Sequence, residues 1–340
     1  MENSVCHYDW CYVSGRVNVL ECSLLSSNFF ERLLSIDDFK EVLASLSYTP
    51  LKTYFAHVKH LYEFEKLLDK YYYNRLYEMR SLSPDSAVCD FFLLGNDVHN
   101  LKIFIKSKIL GASVDKFFRG TINRDEWDDG WQDKATSLPE IFKESISFFK
   151  SVINRISKES IPFVIDMIFD GAYLRYMGSI CEGTGINVIK TYVKTFQFIK
   201  GLEIMRRAMS LKIDMNLFNQ YFIEKFDKGH VFYKLTKNTV WASENTLREI
   251  FVETHCNASL QGLLLSNLSR NISFQYEVAT DNYLLDVILP VKCVPFGPER
   301  VFGYLCGLTT EVFNLKLLLG GKVHRIENNL LRERLRKTYA

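Results

Sequence analysis

Apolar residues recur every three or four positions along most of the chain, which is the spacing of a helix rather than a strand. The pattern is clear in residues 51–76, 90–109, 191–209 and 299–319. A helix that buries one stripe of its surface needs this period, whereas a half-buried strand alternates at every second residue. No alternating pair of runs flanks an Asn-Gly or Asp-Gly turn. The sequence therefore predicts an all-α fold.

Two serines are placed to begin helices. Ser35 is followed within three residues by two aspartates, and acids suit the positive end of a helix dipole. Ser137 precedes Glu140 by three positions, as in a capping box. The acidic run at residues 125–129 falls between two predicted helices. We expect that run to form an acidic surface loop.

Three stretches of the chain resemble one another at an offset of roughly 100 to 110 residues. Each begins with an aspartate followed closely by a tyrosine, continues into a helix with a shared core, and closes with a short amphipathic segment. The aspartates are Asp69, Asp170 and Asp281, and the shared helical cores span residues 99–108, 200–209 and 313–322. The second copy departs most, because it reads Gly-Leu-Glu where Asn-Leu-Lys is expected.

Three copies of one helical unit predict three similar bundles. We place them at residues 1–116, 117–227 and 228–340. Cyclic symmetry favours closed arrangements. The expected architecture is therefore a set of three pseudo-repeated helical bundle domains that form a funnel about a pseudo-threefold axis, a shape suited to holding a partner end-on.

Composition narrows the possible functions. The 340 residues are 47% hydrophobic and carry 42 basic against 40 acidic side chains, so a dedicated nucleic-acid binder is not expected. The eight cysteines form no CxxC pair, and we expect reduced, buried thiols. No run approaches the ~20 apolar residues of a membrane-spanning helix. Any contact with a membrane is therefore expected to run through a partner.

The sequence contains few motifs that indicate catalysis, metal binding or covalent modification. The sequence contains neither a Walker A loop nor a GxSxG motif, so we expect no ATP hydrolysis by this chain. His57 and His60 share a helical face, but no third metal ligand is fixed by spacing, and a structural role is favoured. Three N-x-S sequons, at Asn257, Asn267 and Asn271, are expected to stay unmodified. No cofactor or metal is predicted.

Two regions carry a family resemblance. The run from Gly95 to Lys102, GNDVHNLK, resembles the D-x-H-N-L-K helix of the C subunit family of V/A-type (vacuolar/archaeal-type) ATPases, which is related to the d subunit of the eukaryotic V-ATPase. The stretch at residues 297–322 is similar to the closing signature of that family, with Glu311, Asn314 and Lys322 among the matches. The first helix and the tail at residues 330–339 are also similar. The match is weakest at residues 121–160.

This resemblance implies a function as well as a fold. Members are non-catalytic, all-α central-stalk subunits of rotary ATPases and ATP synthases. They act as a socket that links the rotor shaft of the soluble sector to the membrane proteolipid ring, and they transmit torque for proton or sodium transport. The resemblance thus implies one copy per hetero-oligomeric complex. It also implies a peripheral position at the cytoplasmic face of the membrane.

Candidate partner contacts follow from the repeat and from the basic tail. They are Asn100, Lys102, Asn314, Lys316, Arg332, Arg334 and Arg336. The alternative interpretation is that the repeated residues cap or cross-link helices within each bundle, and that the tail is a solvated helix face. Two other functions stay open: an all-α isoprenoid-synthase-like enzyme that holds magnesium through the acids at residues 125–129, and a generic helical-repeat adaptor.

Overall fold

The computed structural model describes residues 7–56, 61–111, 117–134, 136–227, 230–234 and 274–340. Helices are the only regular elements within these ranges, which confirms the predicted all-α fold. Several predictions fall outside the described residues: the boundary at Lys116, the first part of the third bundle, His57, His60, Cys6, Cys256 and the three sequons.

The helices are numbered in chain order. They are α1 (Cys11–Glu21), α2 (Ser27–Ser35), α3 (Phe39–Leu46), α4 (Lys52–Phe55), α5 (Phe64–Leu82), α6 (Ala87–Leu110), α7 (Arg124–Trp131), α8 (Glu140–Val152), α9 (Ile161–Thr184), α10 (Asn187–Ser210), α11 (Met215–Tyr221), α12 (Val231–Lys234), α13 (Phe274–Ile288), α14 (Pro298–Val323) and α15 (Asn328–Arg334). Short 3-10 turns occur at His7–Trp10, Leu61–Glu63, Ile153–Arg155, Ile223–Lys225 and Leu289–Cys293.

The chain divides into two compact units. Unit 1 is made of residues 1–89 and 269–340, and unit 2 is made of residues 90–268. Unit 1 is thus discontinuous, because its two segments are separated by the whole of unit 2. The proposed division into three bundles remains a prediction.

Helix α14 is the central element of unit 1 and packs against α1, α3, α5, α13 and α15. It begins with Pro298, whose fixed φ and missing N–H suit a helix start. Its side chains are buried on most of its circumference, as expected for a helix at the centre of a core. A Cβ added to Gly307 would lie 2.6 Å from the Cβ of Tyr339. Only glycine at this position lets the end of the chain lie directly against the helix.

The segment after α15 is held along this glycine-containing face. Tyr339 is 2% exposed, and its hydroxyl donates a hydrogen bond to Glu21 Oε1 over 3.1 Å. The ammonium of Lys292 lies 4.7 Å from the centroid of the tyrosine ring. Lys337 forms an ion pair with Asp286 on α13 at 2.7 Å. The segment therefore joins α1, α13 and α14 of unit 1.

Helix α9 is the corresponding buried helix of unit 2 and packs against α8, α10 and α11. Aromatic pairs fill the spaces between the helices; Trp127 meets Phe142 edge-on at 5.9 Å, and Phe149 lies 5.9 Å from Phe169. Tilted and edge-on pairs of this kind are the preferred arrangement of aromatic rings. Unit 2 therefore owes much of its core to aromatic side chains.

Local start signals were less reliable than the helical period. Ser35 is the last residue of α2, where its hydroxyl donates to the carbonyl of Arg32, and α3 begins after Asp38. The predicted capping box at Ser137 is wrong, since α8 begins after Pro139. A capping box occurs instead at the start of α7, between Asn123 and Glu126.

The acidic run at residues 125–129 lies on α7 rather than in a loop, so that prediction is also wrong. The apolar series at residues 51–76 is likewise not one helix, because α4 ends at Phe55 and α5 begins at Phe64. A period of three to four residues shows which face is buried but does not show where the chain interrupts the helix.

Two expectations from composition can be compared with the fold. None of the helices in the described ranges combines the length and hydropathy needed to cross a bilayer. The cysteines are less uniformly buried than expected: Cys89, Cys181 and Cys306 are buried, whereas Cys11, Cys22 and Cys293 are exposed.

Candidate partner-binding residues

In unit 1, Asn314 binds the backbone of another part of the same unit. It is 1% exposed on α14. Its Nδ2 donates to the carbonyl of Arg336 over 2.9 Å, and its Oδ1 accepts from the N–H of Arg336 over 2.9 Å. Both backbone polar groups of Arg336 are thereby satisfied by one side-chain amide, which is what a buried backbone segment requires. Asn314 is therefore a buried link to the segment after α15.

In unit 2, Asn100 makes the same pair of bonds. Its Nδ2 donates to the carbonyl of Phe118 over 2.9 Å, and its Oδ1 accepts from the N–H of Phe118 over 2.8 Å. The side chain is likewise buried, on α6. The two asparagines that align in the repeat thus make equivalent hydrogen bonds to the backbone in the two units. Both pairs of bonds are intramolecular, and each holds a non-helical segment against a helix.

The two aligned lysines also form equivalent ion pairs. Lys102 lies 2.5 Å from Asp170 in unit 2, and Lys316 lies 2.6 Å from Asp69 in unit 1. Each lysine thus meets an aspartate of the repeated aspartate–tyrosine pattern. Lys102 is mostly buried, whereas the side chain of Lys316 is 37% exposed. An exposed pair contributes only about 0–1 kcal/mol, so Lys316 can exchange its partner at little cost.

A buried acid precedes each asparagine by three positions, and we did not identify these two acids as a repeated pair from the sequence. Glu311 accepts hydrogen bonds from the N–H of Leu25 over 2.5 Å and from the hydroxyl of Tyr71 over 3.3 Å. Burial raises the pKa of Glu311 to about 7. The signal was present, because the acid-x-x-Asn-Leu-Lys spacing occurs in both units.

Asp97 is the matching acid of unit 2. It accepts from the N–H and the hydroxyl of Thr121, each over 2.8 Å, and from the N–H of Ile122 over 3.0 Å. Burial raises the pKa of Asp97 despite these donors. Each acid therefore joins its helix to a distant part of the same unit, one turn before the asparagine.

The second copy of the repeat lacks the asparagine for a packing reason. A Cβ on Gly201 would lie 1.9 Å from the ring atom Cζ of Phe232. Phe232 is fully buried and packs against Phe222 and Phe226. An aromatic ring therefore occupies the space beside α10 where the other copies place an amide.

The three tail arginines differ in accessibility. The Arg336 side chain is mostly buried; its Nε lies 2.9 Å from Asp281, and its guanidinium lies 4.1 Å from the ring centroid of Phe313. Arg334 stacks over Phe274 at 5.0 Å. Arg332 pairs with Glu31 at 3.0 Å and is 50% exposed. Among the predicted contact residues, Arg332 and Lys316 have the most solvent-accessible charged groups. Their ion pairs with Glu31 and Asp69 are partly exposed to solvent.

We expect Asn314→Ala to lower the free energy of unfolding by about 2–3 kcal/mol. The substitution leaves the N–H and the carbonyl of Arg336 without their partner, and each lost buried bond costs about 1 kcal/mol or more. Urea denaturation followed by far-ultraviolet circular dichroism measures the change. Lys316→Ala, two positions along the same helix, is the matched control and should cost less than about 1 kcal/mol. Equal losses for the two variants would contradict the linking role of Asn314.

Comparison with known proteins identifies the same family that the helix motifs resemble. The model of a family described as ATP synthase (C/AC39) subunit matches residues 13–334. The chain is 21% identical over 325 residues to the C subunit of the V-type sodium ATPase of Enterococcus hirae, an alignment that covers 94% of this chain and 95% of the relative.

A second relative comes from Methanocaldococcus jannaschii. The C subunit of its A-type ATP synthase is 20% identical over 346 residues, and the alignment covers 96% of this chain and 86% of the relative. Both similarities extend over nearly the full length of the chain and are not confined to one unit.

Proposed function

Because the chain belongs to the ATP synthase (C/AC39) subunit family, together with the C subunits of V-type and A-type ATPases, we propose that it couples the two sectors of a rotary ATPase. In this role the chain performs no bond chemistry. It receives the central-stalk shaft of the soluble sector and rests on the membrane proteolipid ring, at the cytoplasmic face. The family match over residues 13–334 is the observation on which the proposal rests.

The packing within each unit supports a mechanical role. A part that transmits torque must resist deformation, and close-packed interiors have low compressibility. In unit 1, α14 is buried on most of its circumference and is tied to other elements through Glu311 and Asn314. In unit 2, Asp97 and Asn100 make equivalent ties. We propose that the chain forms three bundles, at residues 1–116, 117–227 and 228–340, arranged about a pseudo-threefold axis. The Asn314 link stiffens the third bundle, and the other links join residues of neighbouring bundles.

We assign the partner contacts to the accessible cations, Lys316 and Arg332. Their ion pairs with Asp69 and Glu31 are shared with solvent, so an acidic partner can compete for them. Charged groups of this kind set the register and the rate of association more than the affinity. Asn100, Lys102, Asn314, Arg334 and Arg336 then act indirectly, by fixing the surfaces on which partners bind.

The decisive experiment removes the chain from the assembled rotary complex. We expect ATP hydrolysis by the soluble sector to continue, while ATP-driven ion transport into vesicles is lost. Adding back the purified chain should restore transport. If hydrolysis by the soluble sector stopped as well, a coupling role would be wrong.

The same reconstitution tests the contact residues. Lys316→Gln combined with Arg332→Gln should weaken recovery of transport more than Lys40→Gln, which removes an exposed charge from α3. Co-purification separates this function from that of a generic adaptor, since a rotary coupler should bring down the stalk subunits and the proteolipid ring. An unrelated set of partners would favour the adaptor.

The isoprenoid-synthase alternative receives little support from the acids on which it depended. Asp128 forms an ion pair with Lys108 at 2.7 Å, and Glu126 caps the start of α7. These carboxylates are used in local contacts of unit 2. Among the residues that the structure describes, no group of three or more potential ligand side chains is arranged to hold a metal ion. Magnesium-dependent turnover of an isoprenoid diphosphate would restore this alternative.

A further inference from the structure

Unit 2 contains a cleft whose lining includes none of the residues assigned above to partner contacts. Its cavity volume is about 670 Å³, and it lies between the C-terminal half of α9, the first half of α10 and the segment after α11. Pockets for small molecules usually have volumes of ~300–1,000 Å³. The cleft is therefore of a size to take one organic ligand.

Four cations line this cleft. They are Arg175 on α9, Lys190 and Lys194 on α10, and Lys225. Two exposed acids, Glu182 and Asp227, also line it, so the side chains together carry an excess of positive charge. Burial lowers the pKa of His230, on the same wall, to about 4, which keeps this ring neutral at pH 7.

Arg175 is the most unusual of these groups. Its Nη2 donates to the hydroxyl of Ser145 over 3.2 Å, while its buried Nε has no hydrogen-bond partner. Within the described residues its guanidinium forms no ion pair, and the acidic side chain that acts on it electrostatically is Glu144. A half-buried cation that forms no ion pair is costly, and an anion in the cleft would supply the missing negative charge to the guanidinium.

The two lysines of α10 strengthen this interpretation. Lys190 and Lys194 are four residues apart and so share one face of the helix, where like charges repel. Neither forms an ion pair in the part of the chain that the structure describes. Lys225 already makes a cation–π contact, because its ammonium lies 3.7 Å from the ring centroid of Phe148.

We propose that this cleft binds a small phosphorylated molecule, with phosphate oxygens contacting Arg175, Lys190 and Lys194. The guanidinium fork matches two phosphate oxygens at once, and the lysines act as point charges. Val193 and Phe226 supply an apolar wall for the organic part of the ligand. The small size of the cleft favours a small molecule over an acidic protein segment, because a stable protein interface buries on the order of 1,200 Å² or more.

Isothermal titration of the full chain with pyrophosphate, and then with ATP, tests this proposal without any divalent metal. We expect saturable binding of one ligand per chain. The affinity should fall as the salt concentration rises, because salt screens the charges. ATP should bind more tightly than pyrophosphate, because it also contacts the apolar wall.

Matched variants identify the site. Arg175→Gln should weaken binding about tenfold or more, the equivalent of one lost charge-assisted pair. Lys190→Gln combined with Lys194→Gln tests the cleft at its rim, with less risk to folding. Lys158→Gln removes an exposed charge from the same unit outside the cleft and should change the affinity less than about twofold.

Three results would overturn the proposal. The first is no saturable binding of either probe at millimolar concentration. The second is an equal loss of affinity in Lys158→Gln, which would indicate general charge attraction. The third is binding of a polyglutamate peptide in preference to both phosphate probes. None of these results bears on the coupling role, so the two proposals fail separately.

Discussion

Replacing Tyr339 with alanine is expected to lower the free energy of unfolding of unit 1 by about 3–5 kcal/mol, the usual range for a large buried aromatic side chain. The ring is 2% exposed and lies against Gly307 of α14. Its removal leaves a cavity at the junction of α1 and α14. It also deprives Glu21 of the tyrosine hydroxyl. Urea denaturation followed by circular dichroism measures the loss.

Two matched variants separate packing from hydrogen bonding. Tyr339→Phe removes only the hydroxyl, and Glu21 keeps its ion pair with Arg300, so the expected cost is about 1 kcal/mol. Tyr48→Ala removes a tyrosine that is 90% exposed and should change stability by less than about 0.5 kcal/mol. If Tyr339→Ala cost no more than Tyr48→Ala, the segment after α15 would not be docked in solution.

The stability of unit 1 should fall as the pH rises from about 5 to about 8 because of Glu311. Burial raises the pKa of this carboxyl from 4.5 to about 7 in the folded protein. The folded state therefore keeps a proton that the unfolded state has released, and stabilisation present below about pH 4.5 is lost as the pH passes 7. At about 1.4 kcal/mol per pKa unit, the full shift is equivalent to about 3–4 kcal/mol, of which about 2–3 kcal/mol is lost between pH 5 and pH 8.

Glu311→Gln provides the test, since its amide cannot ionise. The carboxamide oxygen can still accept from the N–H of Leu25. We expect the variant to match the native chain near pH 5 and to exceed its stability by about 2–3 kcal/mol near pH 8. Glu277→Gln, at an exposed position on α13, controls for the loss of one negative charge. Parallel stability curves for the native chain and Glu311→Gln would rule out this linkage.

Helix content and the repeat were predictable because both are one-dimensional patterns. The series at residues 90–109 and 299–319 became α6 and α14, the helices that carry the two asparagines. The alignment of Asn100 with Asn314 is matched by identical bonds in the structure. A polar residue that recurs on the apolar face of a helix needs a hydrogen-bond partner in each copy, and the sequence alone predicts that such partners exist.

The identity of each partner was not predictable. Asn314 binds Arg336, and Glu311 binds Leu25, which is far away in the chain. Helical periodicity gives the face of a residue but not the element that packs against it. Gly201 illustrates the same limit, because the ring that requires a glycine there comes from Phe232, outside the repeated blocks.

The interrupted layout of unit 1 has a consequence during synthesis. A ribosome makes residues 1–89 first, but their packing partners at residues 269–340 emerge only after all of unit 2 has been translated. At ~5–20 residues per second, the nascent N-terminal helices wait roughly 10 to 40 s. Unit 2 is contiguous, so all of its residues have been made within that interval. The apolar faces of α1, α3 and α5 therefore need protection, and chaperone demand should centre on the first segment to be made.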